Sequence, residues 1–479
     1  MIQTKIRHGI SDRESSYSMK TIKNQEKSGP VVIARNEHEI SRKLISPNAL
    51  RVLYRLKDNG FAGYLVGGCV RDLLLGREPK DFDVVTDATP GEVKRIFRNC
   101  RLVGRRFRLA HIHFQNEIIE LATFRSQAPD EPETETEPKE ADGAEQRRHS
   151  RMLKDDDGMI LRDNVYGTPE EDALRRDFTV NSLSYNIADF SIIDYTGGLA
   201  DLNAGIIRTI GDPDVRFQED PVRMLRAVRF AAQLGFTIEE KTRKALVAAA
   251  DTIVRAAAPR LFDEMLKLLL SGEGAKCYDL LRQTGLFQAL FPDFANWLSE
   301  ESEGFPHTRF GEMLECVDSR VQQGTRVSPP LLLALLFGEY IDGKTGRFRQ
   351  QGMPWQQSVN AAVAEFMGET CPIIMITNRV AIALREIISQ QMRLKKIPGR
   401  RPESFTARDD FNDIIEYCRI TRGDKKDVAR LLDWWTAQSR QQEPVPVPAE
   451  LAAAGEAPQR KKRRRRRRKP NTKNRTEAE

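Results

Sequence analysis

Apolar and polar positions recur with two different periods along the chain, and the change from one to the other divides it. In SPNALRVLYRLKDNG (46–60), Ala49, Val52, Leu53 and Leu56 share one helical face, with Ser46 and Pro47 as cap and first turn and Gly60 as the stop. FAGYLVGG (61–68) reads as a short apolar strand ending in a glycine pair, CVRDLLLG as a helix that Gly76 ends, and DFDVVT (81–86) as the next strand. TPGEVKRIF predicts a helix with Thr89 as cap, Pro90 in the first turn and Glu92 placed to close a capping box. RLVG and AHIHFQNEIIELATF supply further strands. Strands alternating with helices in this way predict a mixed α/β sheet.

The pattern then breaks. Residues 126–158 have no periodicity and carry 11 acidic against 5 basic residues, so a disordered surface insertion is expected. Order resumes with a helix from Thr168 and Pro169, and SIIDYTGGLADLNAGIIRTIG reads as a hairpin or loop on the same sheet. Beyond Gly211 helical periodicity dominates to about residue 440, with no convincing strand. The expected organisation is therefore a disordered segment 1–45, with Met19 as an alternative start, and an α/β head 46–212. A helical neck 213–275, a helical body 276–440, and a Pro/Ala linker with an Arg-rich tail 441–479 follow.

Charge sharpens this picture. The chain of 479 residues carries a net +7, but residues 456–479 hold 12 Lys/Arg and 3 Asp/Glu, leaving 64 basic against 66 acidic residues elsewhere. The basic character is a tail, and RKKRRRRRRK (460–469) suits sequence-independent neutralisation of phosphates. The longest apolar run, LLLALLFG (331–338), is too short to span a bilayer and reads as a buried core helix. No apolar leader stands in the first 20 residues. Six dispersed cysteines without a CxxC pair point to neither zinc nor a disulfide framework, and a cytoplasmic location is expected.

The chemistry concentrates in GGCVRDLLLGREPKDFDVVT (67–86). On a strand, Asp81 and Asp83 would share a face while Phe82 points to the core, and two hard carboxylates there suit Mg²⁺. Alone, the pair is equally readable as solvent-facing residues of an edge strand. Gly67 and Gly68 end a strand and open a helix, where bare backbone can approach phosphate oxygens, with Arg71 in the first turn. Gly-Gly-x-Val-Arg-Asp followed by Asp-Phe-Asp is a far more specific combination.

This stretch resembles the signature of the polymerase β-like nucleotidyltransferases that comprise class II CCA-adding enzymes and bacterial poly(A) polymerases. The similarity continues through EIIELATFR (117–125), RRDFTVNSL (175–183), IIDYTGG (192–198) and EDPVRMLRAVRFAAQLGF (219–236), and covers about 45–290 well. It implies a polymerase β-like head followed by all-α neck and body domains. It also implies that Asp81, Asp83 and Asp177 are catalytic and that Asp81, Asp83 and Glu120 hold Mg²⁺, with Mn²⁺ as a substitute. Gly67, Gly68, Arg71, Arg125, Arg176 and Asn181 would bind ATP as substrate, Asp177 and Asn181 sharing a helix face at i, i+4. Asp220, Arg223, Arg226 and Arg229, spaced along one helical stripe, would read the base. Ordinary salt bridges and helix-stabilising pairs are the plain alternatives for these groups. Cys69 departs from the small residue expected in the turn.

Two features favour the poly(A)-adding branch over CCA addition. RNCRLVGRRFRLAHIHF (98–114) resembles the poly(A)-adding form, with Arg105, Arg106 and Arg108 placed for RNA, and the Arg-rich tail is expected in that branch. The expectation is template-independent addition of AMP from ATP to RNA 3′ ends, with RNA-decay proteins as possible partners of the tail. A catalytically silent RNA-binding protein and an antibiotic-modifying nucleotidyltransferase are the readings from other classes.

Overall fold

Eight short strands, none longer than six residues, pair into one sheet that carries the head. The computed structural model describes residues 29–104, 108–126, 153–154, 160–162, 166–300, 307–397 and 401–440. In chain order the strands are β1 (Val31–Ile33), β2 (Gly63–Val66), β3 (Asp83–Thr86), β4 (Cys100–Val103), β5 (Leu109–His113), β6 (Ile118–Thr123), β7 (Leu153–Lys154), β8 (Ile160–Arg162), β9 (Ser184–Asn186) and β10 (Ile192–Asp194). The sheet runs β1-β10-β9-β2-β3-β6-β5-β4, and β7 and β8 pair separately. Within the large sheet only β3 and β6 run parallel.

The head helices begin where the sequence places them. In α1 (Pro47–Asp58), Ser46 accepts from the N–H groups of Asn48 and Ala49, and the face of Ala49, Val52, Leu53 and Leu56 is fully buried. α2 (Gly68–Leu74) follows the glycine turn, and α3 (Pro90–Ile96) carries the Thr89–Glu92 capping box. Residues 29–45, expected within the disordered segment, are instead built into the head. β1 extends the sheet beside β10, and Ile33, Ile40 and Ile45 are buried. At the other end of the acidic insertion, Leu153–Lys154 pairs with Ile160–Arg162, so that end is not without structure; residues 127–152 and 155–159 lie outside the described residues.

α4 (Pro169–Leu174) is capped by Thr168. The stretch expected as a hairpin or loop contains a helix, α5 (Gly198–Ala204), because a single carboxylate organises its start. Asp194 Oδ1 accepts from the N–H groups of Thr196, Gly197 and Gly198, and Oδ2 from that of Leu199. Gly198 has no alternative here, since a Cβ would overlap the carbonyl of Thr179. β11 (Ile206–Ile207) pairs in parallel with β12 (Thr237–Ile238), a small strand beyond Gly211 that the helical periodicity hides.

The remainder is helical. α6 (Pro213–Glu219), α7 (Val222–Leu234), α8 (Glu240–Ala249) and α9 (Ala258–Leu269) occupy the stretch expected as the neck, and further helices continue to Lys426–Arg440. The apolar run 331–338 lies buried inside the helix Pro329–Gln350. Among the described residues no helix is long and apolar enough to cross a membrane. Neck and body meet at the start of α9, where Met375 N–H donates to the Ala258 carbonyl at 3.2 Å.

His38 pins the N-terminal approach to the sheet. Its Nδ1 accepts from Ile40 N–H at 3.2 Å, so its Nε2 carries the proton and donates to the Phe190 carbonyl at 2.8 Å. Burial holds its pKa below the ordinary 6.5. The unfolded chain therefore binds a proton that the folded one refuses, and the stability from His38 is complete above pH 6.5 and declines as pH falls through the depressed folded value. Urea unfolding should show the wild-type advantage over His38→Ala shrinking between pH 7.5 and pH 5. A constant difference across that range would contradict this assignment.

Candidate active site

The turn between β2 and α2 requires glycine. Gly67 sits at φ 76°, ψ −133°, which side chains other than hydrogen rarely allow, and its N–H donates to the Leu183 carbonyl. A Cβ there would lie 3.2 Å from Arg176 Nη1, so the turn and this guanidinium are in contact. Cys69 lies buried behind it with its Sγ on the Val66 carbonyl, and burial pushes the thiol up to about 12, which makes it an inert packing group.

Asp83 opens β3 directly across from Glu120 of β6. The expected two-residue alternation on a strand holds only in part: Phe82 is buried as foreseen, but β3 begins at Asp83, and Asp81 is exposed in the segment that leads into it. Burial, then the Glu120 carboxylate, then Asp81 push the Asp83 carboxyl up to about 6 against the pull of Arg176 and Arg226. Glu120 faces a histidine rather than an arginine across the sheet: His111 Nε2 lies 3.6 Å from its Oε1. Carboxylates close enough to raise one of them repel each other, and a hard divalent cation would relieve that repulsion. That chemistry fits Mg²⁺, although among the described residues no three His, Cys, Asp or Glu side chains are already drawn together as a metal-holding group.

Asp177 does not share a helix with Asn181. α4 ends at Leu174, and Asn181 lies in a single 3₁₀ turn, Thr179–Asn181, because Asp177 is committed to its own backbone and to the neck. Its Oδ1 accepts from Phe178 N–H at 2.9 Å and Asn181 Nδ2 at 3.3 Å, and its Oδ2 from Arg226 Nε at 2.6 Å. Burial alone would raise its pKa, but Arg226 outweighs that and holds the carboxyl below its ordinary value. Asn181 Oδ1 in turn accepts from Arg71 Nη1 at 2.6 Å, while Arg71 Nε and Nη2 donate to Asp72. Asp172, buried, accepts from Arg175, from Arg176 Nη2 at 3.0 Å and from the Arg125 N–H, which fixes Arg176 beside the glycine turn. Arg125 is itself buried and donates to the Arg108 carbonyl; Arg105 and Arg106 lie outside the described residues.

The stripe expected to read the base is less regular than its spacing. Asp220 stands outside α7 as the cap of α6, and Arg260 of α9 holds it with two 2.9 Å bonds. Arg223 donates to the Arg216 carbonyl and to Glu219, and Arg229 donates to buried Glu264 at 2.5 Å. Arg216, whose pKa burial pushes down to about 10, donates to the carbonyls of Arg175 and Arg176 and ties neck to head. Sequence reasoning missed Asp172, Arg216, Glu219, Phe230, Arg260 and Glu264. The i, i+3 and i, i+4 spacings of Asp172 with Arg175 and Arg176, of Glu219 with Arg216 and Arg223, and of Arg260 with Glu264 were signals, but they read equally as surface pairs.

Family models match in three places: the poly A polymerase head domain over residues 63–208, a probable RNA- and SrmB-binding site of polymerase A over 235–298, and the polymerase A arginine-rich C-terminus over 351–470. The chain is 42% identical to poly(A) polymerase I of Salmonella typhi over 408 residues, 84% of each protein. It is 34% identical to a CCA-adding enzyme of Bacillus velezensis over 260 residues, 54% of this chain and 59% of the relative. Its fold matches a Bacillus stearothermophilus CCA-adding enzyme crystallised with CTP at a TM-score of 0.51 and 25% identity, covering 81% of both chains.

The two acidic groups should separate on mutation. Asp177→Ala strands the Arg226 charge at the head–neck junction and should cost about 3 kcal/mol in urea unfolding. Glu120→Gln, half-exposed, should change stability by less than about 0.5 kcal/mol. Equal losses for the two would show that Asp177 does not join the domains.

Proposed function

The chain belongs to the bacterial poly(A) polymerase family, and from that premise we propose that its head and neck add AMP from ATP to RNA 3′ ends without a template. The observation that carries this reading is Asp83 set across from Glu120, with Asp81 ahead of it and the Gly67 turn beside Arg176. Asp81, Asp83 and Glu120 would hold Mg²⁺ or Mn²⁺, whose chemistry is to acidify a ribose hydroxyl and offset charge on a phosphate under attack. With its pKa near 6, Asp83 is mostly ionised at neutral pH even before a cation adds its pull.

The remaining groups bind and orient. The backbone of Gly67 and Gly68, with Arg71, Arg125 and Arg176, supplies donors and positive charge for the triphosphate, which keeps pyrophosphate anchored as it leaves. Asp177 and Asn181 hold the arginines on either side of the junction in register. Asp220 accepts from the adenine amino group and Arg223 donates to a ring nitrogen. Since Arg260 and Glu219 engage these two beforehand, base binding exchanges partners instead of stripping bare charges of water. Arg108, with Arg105 and Arg106, takes the RNA strand, and the basic run 460–469 neutralises its phosphates and offers a surface to RNA-decay proteins in the cytoplasm. Greater identity over a larger share of the chain supports AMP addition over CCA addition.

Incubated with a generic RNA and Mg²⁺, the protein should build a long ladder from ATP alone. Extension that stops after three nucleotides and requires CTP would overturn the reading. Asp81→Ala or Asp83→Ala should lower AMP transfer on the order of 10³-fold, and chelation with EDTA should abolish it, while gel shifts still report RNA binding. An active double variant would exclude these carboxylates from the chemistry.

A further inference from the structure

Phe230 lies on α7, 7% exposed, where sequence periodicity gives it an ordinary core role. It lies in the buried core, yet charged groups also pack against it. The guanidinium carbons of Arg71, Arg226 and Arg229 stand 5.1, 5.2 and 4.3 Å from its centroid, and Phe178 meets it edge-on at 5.9 Å. Three guanidiniums, each also paired with a carboxylate of its own (Asp72, Asp177 and Glu264), are gathered around one side chain at the place where head and neck join.

The contacts close a circuit. Arg71 of the head donates to Asn181, Asn181 to Asp177, and Arg226 of the neck to Asp177. Phe230 then bridges Arg226 back to Arg71. Each member is accounted for except the outer end of Arg226. Its Nε is bonded to Asp177, its side chain is 34% exposed, and among the described residues no hydrogen bond engages its two terminal nitrogens. The same guanidinium is close enough to Asp83 to pull that carboxyl's pKa down.

We propose that Phe230 is a positioning residue for the nucleotide: its ring lets Arg71, Arg226 and Arg229 crowd together and braces Arg226 so that its terminal nitrogens meet the triphosphate. The inference rests on the nucleotide-binding reading above and adds the device that assembles the charge. The negative face of the ring offsets part of the repulsion among the guanidiniums, which an aliphatic side chain of similar size cannot do. A partly desolvated contact of this kind corresponds to about a tenfold change in affinity.

The test replaces Phe230 in the full chain with mono-, di- and trifluorinated phenylalanine, which weakens the ring face stepwise at nearly constant shape. ATP affinity, measured by equilibrium binding, should fall stepwise to about a tenth, and KM for ATP should rise in parallel with kcat changed less than about twofold. Thermal stability of the unliganded protein should fall only modestly along the series, because the ring stays buried while part of the repulsion it offsets returns. Phe230→Leu should match the trifluorinated protein and Phe230→Tyr should restore ATP binding; if the leucine variant fails to fold, the fluorinated series decides alone. Unchanged ATP affinity along the series would overturn the inference, as would a loss of kcat at constant KM. AMP transfer by the unsubstituted protein reports separately on the proposed reaction.

Discussion

The ion pair between Asp177 and Arg226 is the constraint on which the site depends. One partner belongs to the segment that leaves α4 and the other to the neck helix α7, so this contact sets where the two domains stand. Partly buried pairs of this kind add little net stability, because desolvation consumes most of the attraction, but they penalise misplacement. The surrounding bonds repeat the same instruction. Arg216 reaches back to the carbonyls of Arg175 and Arg176, and Arg208 of the β11 segment joins Asp201 to Glu239 of the neck. A cleft held this way is shaped before any ligand arrives, as electrostatic preorganisation requires.

Two aspartates in that cleft are driven in opposite directions. Asp83 is raised by burial beside Glu120, whereas Asp177 is lowered by a guanidinium despite deeper burial. Identical side chains are thus pushed apart in acidity, and neighbours make the difference. Asp177, expected to be catalytic, therefore has its observed bonds on the architectural side of the site.

Much of this was legible from residues. The buried face of α1, the Thr89–Glu92 box, the glycine turn and the helical neck all follow from local pattern. What escaped has physical reasons. β1 is three residues long and acquires its place only by pairing with β10, some 160 residues later, and no local period announces that. The helix after Asp194 depends on one carboxylate capping four N–H groups, which the run IIDYTGG does not reveal to a periodicity count. Asp81 and Asp83 stand out by motif spacing, and Glu120 by what the resemblance implies. Arg260, Glu264 and Phe230 were missed because their partners come from other helices, and in sequence they look like ordinary surface and core positions.

The strand that carries Glu120 ends at a junction of its own. Gly167 N–H donates to the Phe124 carbonyl, and Arg125 bridges Tyr166, so the chain leaves and re-enters the head at neighbouring points. β6 already has its register from β3 on one side and β5 on the other before that departure. The closure entropy of a loop that leaves from such a junction rises only slowly with its length. The junction is a natural splice point: a segment of another length inserted there would leave the register of β6, and with it the place of Glu120, set by β3 and β5.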